Sequence, residues 1–401
     1  LTCDVSESVP KGAPTDILSG LSLALHVSSK TQNTEDGIRR VATILRALAP
    51  LAEASPSRVI DEVLEAPLLA GTPGTGVPGL IRAIRDGESR LGEYPLTLAV
   101  LNLVERMLNH GGLGDRLEAL VDHALQEVGV RHIQWRYKHK AEKWAVHAAV
   151  HRVIHAVFIP RHGDFACKLR DKVLSYLITD KAICFGALAP LVYDANALRR
   201  LHEDGGAPRA EEVTTLEDAI ATVLETLPLI VFHAGESFGG VLEKLLLIET
   251  VNDGVPFASS IASYAGYPYA AACYPLALPA LIPLCAMAAT VPLAATLDSN
   301  DRVEILKAMH TMFEHADDET DAVSDAADLL SAGVANQPEW VHMLLSNEDY
   351  ETAPAPLTPA PGGATLPAPA PLGALPAPTT PGAPGAAPSN SLALAPTPTS
   401  E

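Results

Sequence analysis

The chain has 401 residues, a formal net charge of -20 and 48% hydrophobic residues, enough apolar material for a large buried core. A surface this acidic repels a phosphate backbone, so broad nucleic-acid binding is excluded. Aromatics make up only 5% while Ala, Leu and Val dominate, and short unbranched or γ-branched side chains favour helix over strand because they lose little rotamer freedom there.

Leu1 opens the chain without a methionine and without the basic, apolar, small-residue progression of a signal peptide, so a piece of something longer is expected. Cys3, Cys167, Cys184, Cys273 and Cys285 are scattered and never in C-x-x-C spacing. That indicates neither a disulfide framework nor a zinc knuckle, and it points to a reducing compartment. No cofactor is expected.

The recurring unit is an amphipathic helix. Ile38, Val41, Ala42, Leu45, Leu48 and Ala49 form the first apolar stripe, with Arg39, Arg40 and Arg46 away from it. Ser55-Pro56 reads as an N-cap followed by a first-turn proline. Pro95 then opens a helix whose stripe is Leu96, Val100, Leu103, Val104, Met107 and Leu108, and His110-Gly111-Gly112 reads as its stop. Asp115 with Glu118 and Thr214 with Glu217 read as capping boxes. Leu117 to Val128 and Val146 to Val157 repeat the helical spacing. Strand signals are scarce, being confined to the apolar stretches near residues 229 and 281.

Charge is unevenly spread. Residues 131 to 172 carry ten Lys/Arg against three Asp/Glu, whereas residues 298 to 351 carry fourteen acids against two bases; such bands usually mark two solvated faces. His147, His151 and His155 recur every four residues along one helix. The spacing suits a metal site, but they flank an apolar stripe beside Trp144 with no carboxylate among them, so packing between helix layers is expected and metal binding is not.

Gly235-Glu236-Ser237-Phe238-Gly239 fits the G-x-S-x-G nucleophile elbow of α/β-hydrolases. Pro228 to Phe232 would be the strand before it, and His110-Gly111-Gly112 an oxyanion loop. Ala219, Ile220, Val223, Leu224, Leu227 and Val231 fall at helical spacing instead. A helix bent at Pro228 and ended by Gly235 is therefore expected, with Ser237 in a turn. A serine esterase using Ser237 remains the alternative, needing an acid such as Asp298 or Asp301 and one of His310, His315 or His342.

Between Asp253 and Asp298 no residue is charged, yet Pro268, Pro275, Pro279, Pro283 and Pro292 make the stretch a poor membrane span. Buried helices broken by proline are expected. From Glu351 to Glu401 there are fourteen prolines, no aromatic and no Lys or Arg. This composition cannot bury enough surface to offset ordering. The expected organisation is an all-α segment over residues 1–346, an irregular α-solenoid of stacked HEAT/ARM-like helix pairs, then a disordered Pro/Ala-rich linker or insertion over 347–401. A compact helical domain is the rival architecture.

Two stretches are more specific. They are "ESRLGEYPLTLAVLNLV", residues 88 to 104, and "WRYKHKAEKWAVHAAVHRVIHAVF", residues 135 to 158. With Glu88, Ser89, Arg90, Glu93, Tyr94, Pro95, Leu96 and Thr97, then Tyr137, Ala141, Glu142, Lys143 and Trp144, the pair resembles the signature of the large scaffold nucleoporins of the nuclear pore inner ring. The spelling is closer to the 205/192 type than to the paralogous 188 type. The match covers about 70 residues, and the Pro/Ala-rich stretch departs from the family pattern.

The resemblance implies a structural scaffold at the nuclear envelope that supports nucleocytoplasmic protein transport by binding short segments of linker nucleoporins. It implies no catalysis, membrane span or small-molecule substrate. In the motif, Tyr94, Pro95 and Trp144 are structural anchors: Pro95 pre-sets a first turn, Tyr94 covers it, and Trp144 supplies a buried anchor between layers. Arg136, Lys138, Lys140 and Lys143 are expected to form an exposed basic ridge facing acidic partner segments.

Overall fold

The computed structural model describes residues 34–54, 59, 87–109, 114–159, 164–203, 207–247, 256–265, 267, 274–287, 293–314 and 320–346. The chain divides into two units, Leu1–Ala353 and Pro354–Glu401; every described residue belongs to the first. The Pro/Ala-rich stretch expected over 347–401 lies outside the described residues, as do Ser55-Pro56 and His110-Gly111-Gly112.

The described chain is all-α, with no strand. In chain order the helices are α1 (Glu35–Ala54), α2 (Pro95–Leu108), α3 (Gly114–Asp122), α4 (Lys140–Phe158), α5 (Asp164–Thr179), α6 (Lys181–Leu188) and α7 (Ala195–Glu203). They continue as α8 (Ala207–Leu247), α9 (Phe257–Tyr264), α10 (Tyr274–Met287), α11 (Leu293–Thr296), α12 (Ser299–Glu314), α13 (Thr320–Asn336) and α14 (Pro338–Leu345). A π-helical segment, His123–Gly129, prolongs α3, and a single 3-10 turn, His132–Gln134, precedes α4.

Packing proceeds along the chain as in a solenoid. α1 packs on α2, α2 on α4, α4 on α8, α8 on α10 and α10 on α13, while α5 touches both α4 and α8, α9 touches both α8 and α10, and α7 and α12 lie against α8 and α13 respectively. Contacts between near neighbours in sequence are what stacked helical layers produce. The apolar stripes face one another: Val41, Leu45 and Leu48 of α1, Leu96, Leu103 and Met107 of α2, Val146, Val153 and Ile154 of α4, and Leu216, Ile220 and Leu224 of α8 are all buried. Removing such stripes from water stabilises by roughly 25 cal/mol per Å² of apolar surface.

Short polar side chains set several boundaries. Oδ1 of Asp180 accepts from the main-chain N–H groups of Ala182 and Ile183 at 2.9 and 3.3 Å, capping α6. Asp194 does the same for α7 through Ala197 at 2.7 Å. Each cap satisfies an N–H that the first helical turn leaves without a partner. Pro95 is the first residue of α2, as its missing N–H requires.

Several expectations are corrected. α8 begins at Ala207, so Thr214 is interior, and its hydroxyl donates to the Ala210 carbonyl at 3.0 Å instead of capping. Helix α3 starts at Gly114, and the Glu118 carboxylate pairs with Lys172 rather than reaching back as a capping box. Gly235 does not end α8: the helical backbone runs through residues 235–240 to Leu247, so Ser237 lies in a helix and not in a turn. A glycine inside a helix costs about 1 kcal/mol relative to Ala. Burial of Ile230, Val231 and Ala234 just before it outweighs that cost. Pro228 to Phe232, the strand an elbow needs, is helical too.

The uncharged stretch forms α9, α10 and α11, and Ala277, Leu278, Ala280, Leu281 and Cys285 of α10 are buried. Among the described residues no single helix is long and apolar enough to cross a membrane. Cys184 and Cys285 are both buried.

Candidate binding site

Glu88 starts the site. Its carboxylate is fully buried and lies over the first turn of α2, accepting from the N–H of Leu96 at 2.5 Å and of Thr97 at 3.2 Å, and from the Thr97 hydroxyl at 2.5 Å. It is a cap delivered from upstream, outside the usual N-cap position. Burial pushes the Glu88 carboxyl up to about 8, against the pull of these donors.

The chain reverses at Gly92, whose φ of 70° is left-handed and disfavours any side chain. The reversal presents the Gly92 carbonyl to the Lys138 N–H, which donates to it at 2.8 Å. From there the two motif stretches interlock. The Tyr94 N–H donates to Glu142 Oε1 at 2.6 Å, and the Tyr94 hydroxyl donates to the Arg136 carbonyl at 3.1 Å. The Tyr94 ring stacks on Trp135 with centroids 4.7 Å apart and leans on Tyr137 at 4.8 Å. Tyr94, the residue before α2, thus ties that helix start to the second stretch.

Trp144 is buried and meets Tyr193 edge-on at 5.5 Å. Above it, Lys143 Nζ sits 4.4 Å from the ring centroid. Such a contact is attractive because the ring face carries partial negative charge.

The four basic residues divide into two kinds. Arg136 and Lys140 are exposed, Lys140 lying 4.0 Å from Glu212. Lys138 is exposed but bonded to Glu93 at 2.7 Å, and Glu93 also holds Arg39 at 2.8 Å. Its bond to Lys138, before any other cause, lowers the Glu93 pKa. Lys143 is half-buried, and burial lowers its pKa. Lys143 is therefore not part of an open ridge, because its methylenes and charge are used on Trp144. Beside this ridge opens a groove of about 540 Å³ between α1, α4 and α8, lined among others by Arg39, Arg46, Pro95, His139, Glu142 and Glu211.

A second cluster lies within the α4 layer. His132, His147 and His151 are all buried, and His155 is partly exposed. His132 Nδ1 is 2.9 Å from the Val128 carbonyl, His132 Nε2 is 3.0 Å from His147 Nδ1, and His147 Nε2 is 3.2 Å from the Ala187 carbonyl. His151 Nε2 reaches the same carbonyl at 2.7 Å. α6 comes this close because residue 186 is glycine: a Cβ there would stand 3.0 Å from the Gly129 carbonyl. Burial depresses all three pKa values, to about 4 for His132 and His151 and well below the ordinary value for His147. Two of the three histidines of the repeating stripe thus pack between layers, and His132 joins them from outside that stripe.

Sequence reasoning missed the carboxylate work of Glu88, Glu93 and Glu142 within the motif. The signal was present as acids flanking Pro95 and Trp144, but nothing in spacing alone showed that they reach across to the other stretch. The side chain of Ser237 lies outside the described residues. No protein-family model matches this chain, and no curated protein matches it.

Proposed function

We propose that the chain is a segment of an inner-ring scaffold nucleoporin, acting at the nuclear envelope by holding short segments of linker nucleoporins against a helical solenoid. The observation that supports this reading is that the two resembling stretches form one interlocked unit. Glu88 caps the E-Y-P-L-T helix, Tyr94 bonds the Glu142 of A-E-K-W, and Lys138 bonds both Gly92 and Glu93. In that unit Glu88, Gly92, Tyr94 and Glu142 hold the two stretches together, which is the work a scaffold motif does. The exposed cations beside the groove, Arg136 and Lys140, are the contact points for an acidic partner segment.

The test is capture of linker nucleoporin segments by the full chain and by an Arg136→Glu/Lys140→Glu variant. Capture should fall on charge reversal, and the difference should shrink with added salt. Undiminished capture at low salt overturns the ridge as the contact. No capture by either protein overturns the scaffold reading. Nothing in the geometry favours an esterase, since the segment before Ser237 is helical. Fluorophosphonate labelling dependent on Ser237 would restore that alternative.

A further inference from the structure

The histidine cluster of the α4 layer has too few protons for its contacts. From Val128 to Ala187 the chain of contacts runs carbonyl, His132, His147, carbonyl. A carbonyl only accepts, so each end of the chain requires an N–H on the ring nitrogen facing it. The two ring nitrogens that face each other at 3.0 Å require one N–H between them. Three contacts need three protons, and two neutral imidazoles carry two.

Geometry shows where the shortfall lies. His132 Nδ1 faces two carbonyls, Val128 at 2.9 Å and Gly129 at 3.1 Å, and must carry its proton. His132 Nε2 then accepts from His147 Nδ1–H. That leaves His147 Nε2 bare against the Ala187 carbonyl, at 3.2 Å the longest end of the chain. The carbonyl is not orphaned, because His151 Nε2 supplies a proton at 2.7 Å.

We propose that His132 and His147 form a buried proton-accepting latch, in which a single proton taken up at His147 Nε2 completes the chain and bonds α4 to α6 through the Ala187 carbonyl. The inference goes beyond the scaffold reading and does not depend on it. His151 is the internal control: its Nδ1 is buried with no partner among the described residues, so a proton there gains no bond.

The groups acting on the rings keep the latch unprotonated near neutrality. Burial comes first for all three rings; Lys143 then opposes charge on His132 and His147, His155 opposes it on His151, and the rings oppose one another. The π-helical segment and α6 bring main-chain carbonyls to the rings. Trp135 and Trp144 meet them edge-on and are uncharged. Uptake therefore falls on the acid side of the ordinary histidine range, where burial and these cations are overcome by the bond gained.

Long-range ¹H–¹⁵N correlation spectra of the ¹⁵N-histidine-labelled full chain read the tautomer at each ring. At neutral pH His132 and His147 should both be Nδ1–H tautomers and His151 an Nε2–H tautomer. On stepwise acidification the His147 Nε2 resonance should shift to the protonated range before any change at His151, with the far-UV circular dichroism still helical. In a His132→Phe variant the His147 tautomer should invert to Nε2–H, since its Nδ1 no longer has an acceptor; if that variant does not fold, the wild-type spectra alone decide. An Nε2–H tautomer at wild-type His147 at neutral pH overturns the latch. So does protonation of His151 first, or unfolding before the pair takes up any proton.

Discussion

The main-chain N–H of Tyr94 donates to Oε1 of Glu142 at 2.6 Å, joining the start of α2 to the first turn of α4 across 48 residues of chain. Removing the carboxylate leaves a part-buried N–H without its acceptor, which costs about 1–3 kcal/mol. Glu142→Ala should lose that much in urea unfolding of the full chain, whereas Glu142→Gln, which keeps an acceptor oxygen, should lose clearly less. Equal losses would show that charge, and not the acceptor, holds the two helices.

Glu88 makes stability depend on pH in the unusual direction for a carboxyl. Its folded pKa of about 8 is above the ordinary carboxylate value of 4.5, so its contribution is complete below 4.5 and is lost as pH rises through 8. The slope from this one group approaches about 1.4 kcal/mol per pH unit. Over the same interval the unfolded chain still releases protons from its histidines, so the Glu88 contribution is read as the difference between wild type and Glu88→Gln. Between neutrality and pH of about 8, denaturant midpoints of the wild type should fall relative to those of Glu88→Gln.

The three buried histidines govern the acid limb. Their folded pKa values lie below the ordinary 6.5, so their stabilising contribution is full above 6.5 and is lost as pH falls toward about 4. For His151, which stands outside the His132–His147 pair, the loss is on the order of 3 kcal/mol. A His151→Phe variant should shift the acid-unfolding midpoint, followed by circular dichroism, to lower pH. An unmoved midpoint would remove His151 from the acid limb.

Gly333 in α13 sits under Trp340 and Val341 of α14: a Cβ there would stand 2.5 Å from Val341 Cγ2 and 3.1 Å from Trp340 Cζ3. Gly333→Ala gains about 1 kcal/mol of helix propensity and meets an overpacking cost of about 1–3 kcal/mol. It should be net destabilising, and part of the loss should be recovered in a Val341→Ala background. Simple additivity of the two substitutions would argue against the clash.

Much of the helical row is legible from residue periodicity. The stripes at Ile38 to Ala49, Leu96 to Met107 and Val146 to Val157 are buried faces, and Pro95 marks a helix start. Stops and caps are read less well. Gly235 has a helix-ending sequence context yet lies inside α8, because packing of the preceding turn outweighs local propensity. Thr214 and Glu217 spell a capping box but fall within a helix that starts earlier, at Ala207. In the candidate site, Pro95 opens α2 while Tyr94 and Trp144 are buried among aromatic rings. The differing engagement of the basic band, Lys138 on Glu93, Lys143 over Trp144 and Lys140 more loosely near Glu212, depends on partners distant in sequence or beneath the side chain.

The sequence by itself determined that this protein is helical and which face of each long helix is apolar, because both follow from side-chain spacing at 3.6 residues per turn. Only the tertiary structure decided what the buried polar groups do. Glu88 caps a helix it does not belong to, Glu142 holds the N–H of Tyr94, and His132 meets His147. A hydrogen bond needs two groups at about 3 Å in the right orientation. Between residues 15 or 48 apart in the chain, that is set by how helices stack and not by any local pattern.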